Sequence, residues 1–275
     1  MVQIKNGQFV DSSGRVISLR GVNLSGSAKG PTTPDGATWI KDSLANHRDV
    51  SFIGRLLPLD KADEHFARLR AWGFTTIRLV ITWEAVEHAG PGIYDTAYLS
   101  YLRELVKKAD GYGMLVIIDP HPDVWSRFTG GDGAPGWTLE QAGFDLDHLD
   151  DCGAALTHQH HGDPLPRMIW PSNYNKLAAA TMFTLFFAGK DFAANCMVAG
   201  QNIQDYLQGH YIAAIAQVAR VLSGLPNIIG FGPMNEPSRG YIGELDLNRI
   251  PGAIEVRLEQ TPTILQSMAL GAGIP

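Results

Sequence analysis

The amino-acid sequence predicts an α/β fold built on a parallel sheet. Three observations predict it. Short β-branched or apolar runs alternate with longer stretches of helical periodicity, glycine or proline stands at the junctions, and several apolar runs end in polar residues. The 275 residues suffice for one domain with a real core, and a hydrophobic content of 45% is that of a soluble globular chain.

The elements follow in order. Asn6-Gly7 and Ser13-Gly14 punctuate two short alternating runs, which predicts an N-terminal hairpin within residues 1–20. Ile17 to Leu24 reads as a first strand. Asp60 to Trp72 reads as a helix with Ala62, Phe66 and Leu69 on one face and Gly73 as its stop. Phe74 to Thr82 is β-branched and reads as a buried second strand. Thr96 to Ala109 carries Leu99, Leu102, Leu105, Val106 and Ala109 on one helical stripe, and Met114 to Asp119 is a short apolar third strand. A long excursion over residues 123–200 then opens with Gly130, Gly131, Gly133, Pro135 and Gly136 as an irregular loop, with one helix expected over Tyr174 to Ala188. Ile203 to Leu222 is the next long helix, Asn227 to Met234 the fourth strand, and the pattern weakens after Arg239.

Two closures fit such a chain, a doubly wound open sheet and a (β/α)8 barrel. No glycine-rich phosphate loop follows the first strand, which removes support from the nucleotide-binding version. Polar groups are expected to end each strand instead, Asn23, Arg78, Asp119 with His121, and Asn235 with Glu236, at the edge where barrel active sites are built. A full barrel takes about 250 residues for eight strands. The expectation is therefore the first half of a TIM barrel, about four strands, plus the hairpin and a long insertion after strand three.

Composition excludes several classes. A net charge of −6 argues against nucleic acid as a partner. Lys5, Asn6 and Gln8 interrupt any signal-peptide core, and the most apolar stretch, Leu177 to Gly189, falls short of the roughly 20 residues that span a bilayer. Cys152 and Cys196 are the two cysteines, too few for a disulfide framework, so a reducing interior is expected, cytoplasmic or vacuolar.

Glycoside hydrolysis needs two carboxyl groups flanking the scissile bond, one of them protonated. Glu236 fits the proton donor: it follows an apolar strand, which predicts a partly desolvated rim, and Asn235 beside it can bond a sugar hydroxyl. Pro237 predicts an extended backbone at Glu236. The tripeptide alone fits an ordinary strand-to-helix turn equally well.

Leu19-Arg20-Gly21-Val22-Asn23-Leu24-Ser25-Gly26, Ile77-Arg78-Leu79, Asp119-Pro120-His121 and Met234-Asn235-Glu236-Pro237-Ser238 together resemble glycoside hydrolase family 5, the cellulase A family. The run from Asp123 to Pro135, Met168-Ile169-Trp170-Pro171 and Gln266-Ser267-Met268 resemble its endoglycoceramidase-related branch, with the fungal glucosylceramidases and steryl β-glucosidases. The resemblance implies a retaining β-glycosidase acting on a glucosylated lipid such as a steryl glucoside or glucosylceramide, with no cofactor and no metal. It implies Glu236 as acid/base, Asn235 as the partner of the sugar 2-hydroxyl, Arg78 as the arginine that holds the nucleophile charged, and His121 as lining the sugar subsite. Lys29 and Asp119 match a pair that grips glucose hydroxyls. A lipid substrate implies peripheral contact with membrane lipid.

Departures accompany the match. Pro122 stands where this branch usually has glutamine, and Pro233 precedes the Asn-Glu pair where a central strand avoids proline. The family's nucleophile is a glutamate after the seventh strand, and none of Glu244, Glu255 and Glu259 follows a suitable strand. The nucleophile is expected outside the chain, which then reads as a truncated and inactive portion of one catalytic domain. A rival reading of the chain is a carbohydrate- or glycolipid-binding module without catalysis, and the other candidate for the parent activity is a cellulase-type endoglucanase. His158, His160, His161 and Asp163 read as a solvated loop rather than a metal site, and Thr181 to Ala188 as core of the insertion rather than a lipid cover.

Overall fold

The computed structural model describes residues 2–24, 26–164, 169–250, 262–271 and 273–274. β1 (Gln3–Lys5) and β2 (Gln8–Val10) form the expected hairpin, Gln3 opposite Val10. Its turn residues Asn6 and Gly7 both have positive φ, 51° and 74°, the pair of conformations that matches strand twist in a two-residue hairpin.

β3 (Gly21–Leu24) starts the main sheet, later than the Ile17 expected. Its Gly21 has a reason to lack a side chain: a Cβ there would lie 2.7 Å from the Thr76 carbonyl oxygen of the next strand. A single 3-10 turn, Gly26–Lys29, follows. α1 (Leu59–Ala71) buries Ala62 and Phe66, and β4 (Thr76–Ile81) comes after it. Every residue of β4 except Arg78 is buried, as in a parallel strand covered on both faces. α2 (Trp83–Glu87), capped by the Thr82 hydroxyl, was not foreseen; five residues are too few for a periodicity to show. α3 (Thr96–Gly111) is capped by Asp95 and buries the stripe read from the sequence. β5 is Leu115–Pro120.

The excursion is more ordered than its glycines suggested. It holds α4 (Trp137–Gln141), α5 (His158–His161), α6 (Ile169–Ser172) and α7 (Leu177–Phe192), with 3-10 turns at Arg127–Thr129, Leu146–His148 and Asn173–Asn175. Most of Thr181 to Ala188 is core, with Met182 and Phe183 fully buried. β6 (Met197–Val198) and β7 (Gln201–Asn202) make a small hairpin before α8 (Ile203–Leu222). β8 is Ile228–Phe231, shorter than the run to Met234, so Pro233 lies past the strand and removes no ladder hydrogen bond. α9 (Ile264–Gly271) contains Gln266, Ser267 and Met268. Met168, Glu255, Glu259 and Ser25 lie outside the described residues.

β3, β4, β5 and β8 form one sheet in that order, all parallel, with Asn23 opposite Arg78, Arg78 opposite Ile117 and Ile118 opposite Phe231. The sheet is consistent with part of a barrel. One large apolar cluster joins it to α1, α3, α7 and α8. Cys152 and Cys196 are free thiols. Among the described residues no helix is long and apolar enough to cross a membrane.

Candidate active site

The register brings four of the sequence-selected side chains into one network. Arg78 Nη2 donates to Asp119 Oδ1 and to Asn235 Oδ1, both at 2.7 Å. Asp119 is 2% exposed, and its Oδ2 pairs with His121 Nδ1 at 2.9 Å. His121 Nε2 stands 3.3 Å from both Asp123 Oδ2 and Asn235 Nδ2. As a donor it serves Asp123; as an acceptor it serves Asn235. Burial acts to lower the His121 pKa, but the Asp119 and Asp123 carboxylates outweigh it and raise it to about 9. The imidazolium form, bonded to both carboxylates, is therefore favoured at neutral pH.

Asn235 reaches this network because the chain turns back after β8. Gly232 N–H donates to Ile118 O at 2.8 Å, and Asn235 N–H to Pro120 O at 2.9 Å. Glu236 follows, and here two expectations are corrected. Its φ is +36°, in the left-handed region rather than extended: the anchors on either side of Pro233 set the turn, and they override the local preference of a residue before proline. The side chain is exposed rather than desolvated, because β8 stands at the open edge of the described sheet. Tyr174 lies close enough to feel the Glu236 charge. Burial first, then Asp123, Asp132 and Glu236, raise its phenol to about 12.

Lys29 is not joined to Asp119. Its ammonium pairs with Asp123 and, at 3.2 Å, with Asp132. Burial acts to lower its pKa, yet the two carboxylates win and raise it. Burial likewise works against the charge of Asp123, but His121 and Lys29 hold it down to about 2. Asp132, 2% exposed, goes the other way: burial dominates and raises it to about 7 despite Lys29. Reading the sequence for sites missed Asp123 and Asp132. Both lie in the Asp123–Pro135 run that carried the resemblance, and two aspartates framing a glycine-rich stretch were the signal.

The loop that carries them is closed on itself. Asp132 N–H donates to Asp123 O at 2.8 Å, and Ala134 N–H to Trp125 O at 2.7 Å. Val124 and Trp125 have φ of 53° and 79°, conformations that non-glycine residues adopt at a cost. A Cβ on Gly131 would sit 1.9 Å from Asp123 O. Arg127 pins the loop through Nε and Nη2, which donate to the two Glu84 oxygens at 2.8 and 2.6 Å, with both side chains buried. A cleft of about 650 Å³ runs from Lys29, Asp123 and Asp132 toward Trp39 and Trp170.

Two remaining groups have local partners. His158 Nε2 lies 2.9 Å from Asp163 Oδ1, and His160 lies beside Asp150 and Thr157; among the described residues no three or more His, Cys, Asp or Glu converge as metal ligands. Glu244 pairs with Arg239.

An arginine, a histidine, an amide and a carboxylate meet here at the C-terminal side of a parallel sheet, the side on which α/β barrels build their sites. The model of the family described as Cellulase (glycosyl hydrolase family 5) matches residues 49–244, and the chain belongs to that family. It is 49% identical to a glucosylceramidase of Rhizopus delemar over 280 residues, covering 100% of this chain and 41% of the relative. It is 46% identical to the ergosteryl-beta-glucosidase of Saccharomyces cerevisiae, covering 98% of this chain and 38% of that protein. The crystal structure of Cryptococcus neoformans sterylglucosidase 1 with tris superposes with a TM-score of 0.89 at 43% identity, over 97% of this chain and 39% of that one. The chain thus spans about two-fifths of the length of these relatives. Membership of the family implies a TIM barrel.

Proposed function

We propose that this chain supplies the acid/base half of a retaining β-glycosidase that acts on a glucosylated lipid. The observation that carries the reading is the single network through Arg78, Asp119, His121 and Asn235, with Glu236 next in the chain. In this reading Glu236 protonates the glycosidic oxygen and later activates water, and Asn235 bonds the sugar 2-hydroxyl. Arg78 spans Asp119 and Asn235 and presents its charge to the reacting carboxylate, while His121, Asp119 and Lys29 bind sugar hydroxyls. The nucleophile, about 5 Å from the acid/base in retaining enzymes, belongs to the portion of the relatives that these residues do not span. Residues 1–275 are then the N-terminal portion of one catalytic domain, with 1–20 as its hairpin and 123–200 as its insertion. The lipid part of the substrate brings the site to a membrane surface. The relatives named glucosylceramidase and ergosteryl-beta-glucosidase support a glycolipid substrate.

The test is hydrolysis. The 275-residue chain is expected to leave glucosyl-sterol and glucosylceramide intact, whereas a chimera that adds the unmatched portion of the Rhizopus delemar relative cleaves one of them. Glu236→Gln in the chimera lowers the rate by about 10²–10⁴-fold. Turnover by the chain alone, or a chimera indifferent to Glu236→Gln, refutes the assignment.

One observation favours a second reading, a glycolipid-binding module without catalysis. The Lys29, Asp123 and Asp132 cluster is assembled while Glu236 stands exposed. Saturable glucose binding to the chain, with a chimera that never turns over, would select it.

A further inference from the structure

We propose that Tyr211 is a positioning residue for the Asn235–Glu236 turn. This rests on the glycosidase reading of Glu236 and adds to it a side chain from α8, the helix that the sequence places over Ile203 to Leu222.

After Phe231 the chain has to leave the sheet and swing Asn235 back onto Arg78. Two backbone anchors come from β5, Ile118 O for Gly232 and Pro120 O for Asn235. Between them stands Pro233, which has no N–H to give, so its carbonyl is the one main-chain group by which it can be held. That carbonyl accepts the Tyr211 hydroxyl at 2.6 Å. The ring cannot follow the turn if the turn moves. Tyr211 is 9% exposed and meets Trp83 and Phe186 edge-on, with ring centroids 5.6 and 5.7 Å away. Burial, helped by the Asp119 charge, pushes its phenol far above the ordinary range, so it stays protonated and keeps donating.

The need for a third main-chain anchor is visible three residues on. Glu236 takes φ +36°, a conformation that persists when the surroundings over-determine it. The strand edge beside β8 offers no further bond among the described residues, so the main-chain hold comes from β5 and from Tyr211, with Arg78 holding the Asn235 side chain. An acid/base has to aim at one oxygen, and misplacement on the scale of an ångström costs orders of magnitude in rate. Tyr211 acts through Pro233 on the direction of Glu236 and touches no reacting atom.

The experiment has two arms on Tyr211→Phe, which keeps the ring and deletes the donor. In the first, amide hydrogen exchange is followed in the 275-residue chain. Asn235 N–H is expected to exchange about tenfold faster than in the unaltered chain, with the amides of α8 unchanged, because the opening is local. Unaltered protection at Asn235, or protection lost equally along α8, overturns the proposal. In the second arm, kcat/KM is measured in the chimera carrying the second carboxylate. An alkyl glucoside is expected to lose about tenfold and a dinitrophenyl glucoside less than about twofold, since dinitrophenolate departs without a proton. Equal losses on both substrates mean a merely structural role and overturn it. The exchange arm needs no turnover. The glycosidase reading fails separately, if Glu236→Gln leaves hydrolysis unchanged.

Discussion

Two segments frame the site, and they are held in different ways. The Asp123–Asp132 loop closes on its own backbone, tolerates no side chain at Gly131, and is pinned by the buried Arg127–Glu84 pair. The Gly232–Glu236 turn hangs from β5 by two backbone bonds, from Arg78 through the Asn235 side chain and from α8 by one phenol, and its Glu236 is exposed. The difference teaches that the Lys29–Asp123–Asp132 wall is closed by many contacts among the described residues, while the Glu236 wall depends on few.

Breaking the stiff wall should cost most. Arg127→Met strands the Glu84 carboxylate in the core and is expected to lower stability by about 3–5 kcal/mol in a urea titration. Gly131→Ala forces the loop backbone apart and is expected to cost about 1–3 kcal/mol by the same measurement. A loss below about 0.5 kcal/mol for either would show that the loop gives way and that the contrast is overstated.

Acidity sharpens the comparison next. The folded pKa of Asp132, about 7, lies above its reference value of 3.8. Its contribution to stability is therefore fully present below 3.8 and is lost as pH rises to about 7. Asp123 has the opposite sign: held down to about 2, it contributes above 3.8 and loses that contribution as pH falls toward 2. Asp132→Asn should flatten the decline in stability between about pH 4 and pH 7, read from urea titrations across that range. An unchanged slope would assign the decline to other groups. The smallest effect is expected in the loose wall. Glu236→Gln, exposed and without a hydrogen-bond partner among the described residues, should move stability by less than about 0.5 kcal/mol while abolishing the acid. A larger change would mean that Glu236 is structurally bound after all.

Much of this was legible in the sequence. The apolar runs placed Arg78 and Asp119 on neighbouring parallel strands, though Arg78 stands mid-strand rather than at the end of β4 and Asn235 reaches them by the turn past β8 rather than by register. The helix stripes at Ala62 and Phe66 and from Leu99 to Ala109 were read correctly because burial on one face imposes the period. What escaped were relations between distant segments. Nothing local says that Lys29 finds Asp123 and Asp132 rather than Asp119. The preference of a residue before proline pointed Glu236 the wrong way, since anchors on β5 and α8 decide its backbone. Glycines in the excursion looked like slack, yet Gly131 is there because Asp123 O occupies the space a side chain would need.

The order of the sheet also carries a timetable. β4 pairs with β3 and β5 with β4, so these three can assemble as they are made, each new strand meeting an edge already formed. β8 alone must wait, because the whole excursion and α8 lie between it and its partner, and a long loop has to close before that pairing is rewarded. Lys29, Arg78, Asp119 and His121 are thus in place early, and Asn235 and Glu236 are the last of the group to arrive.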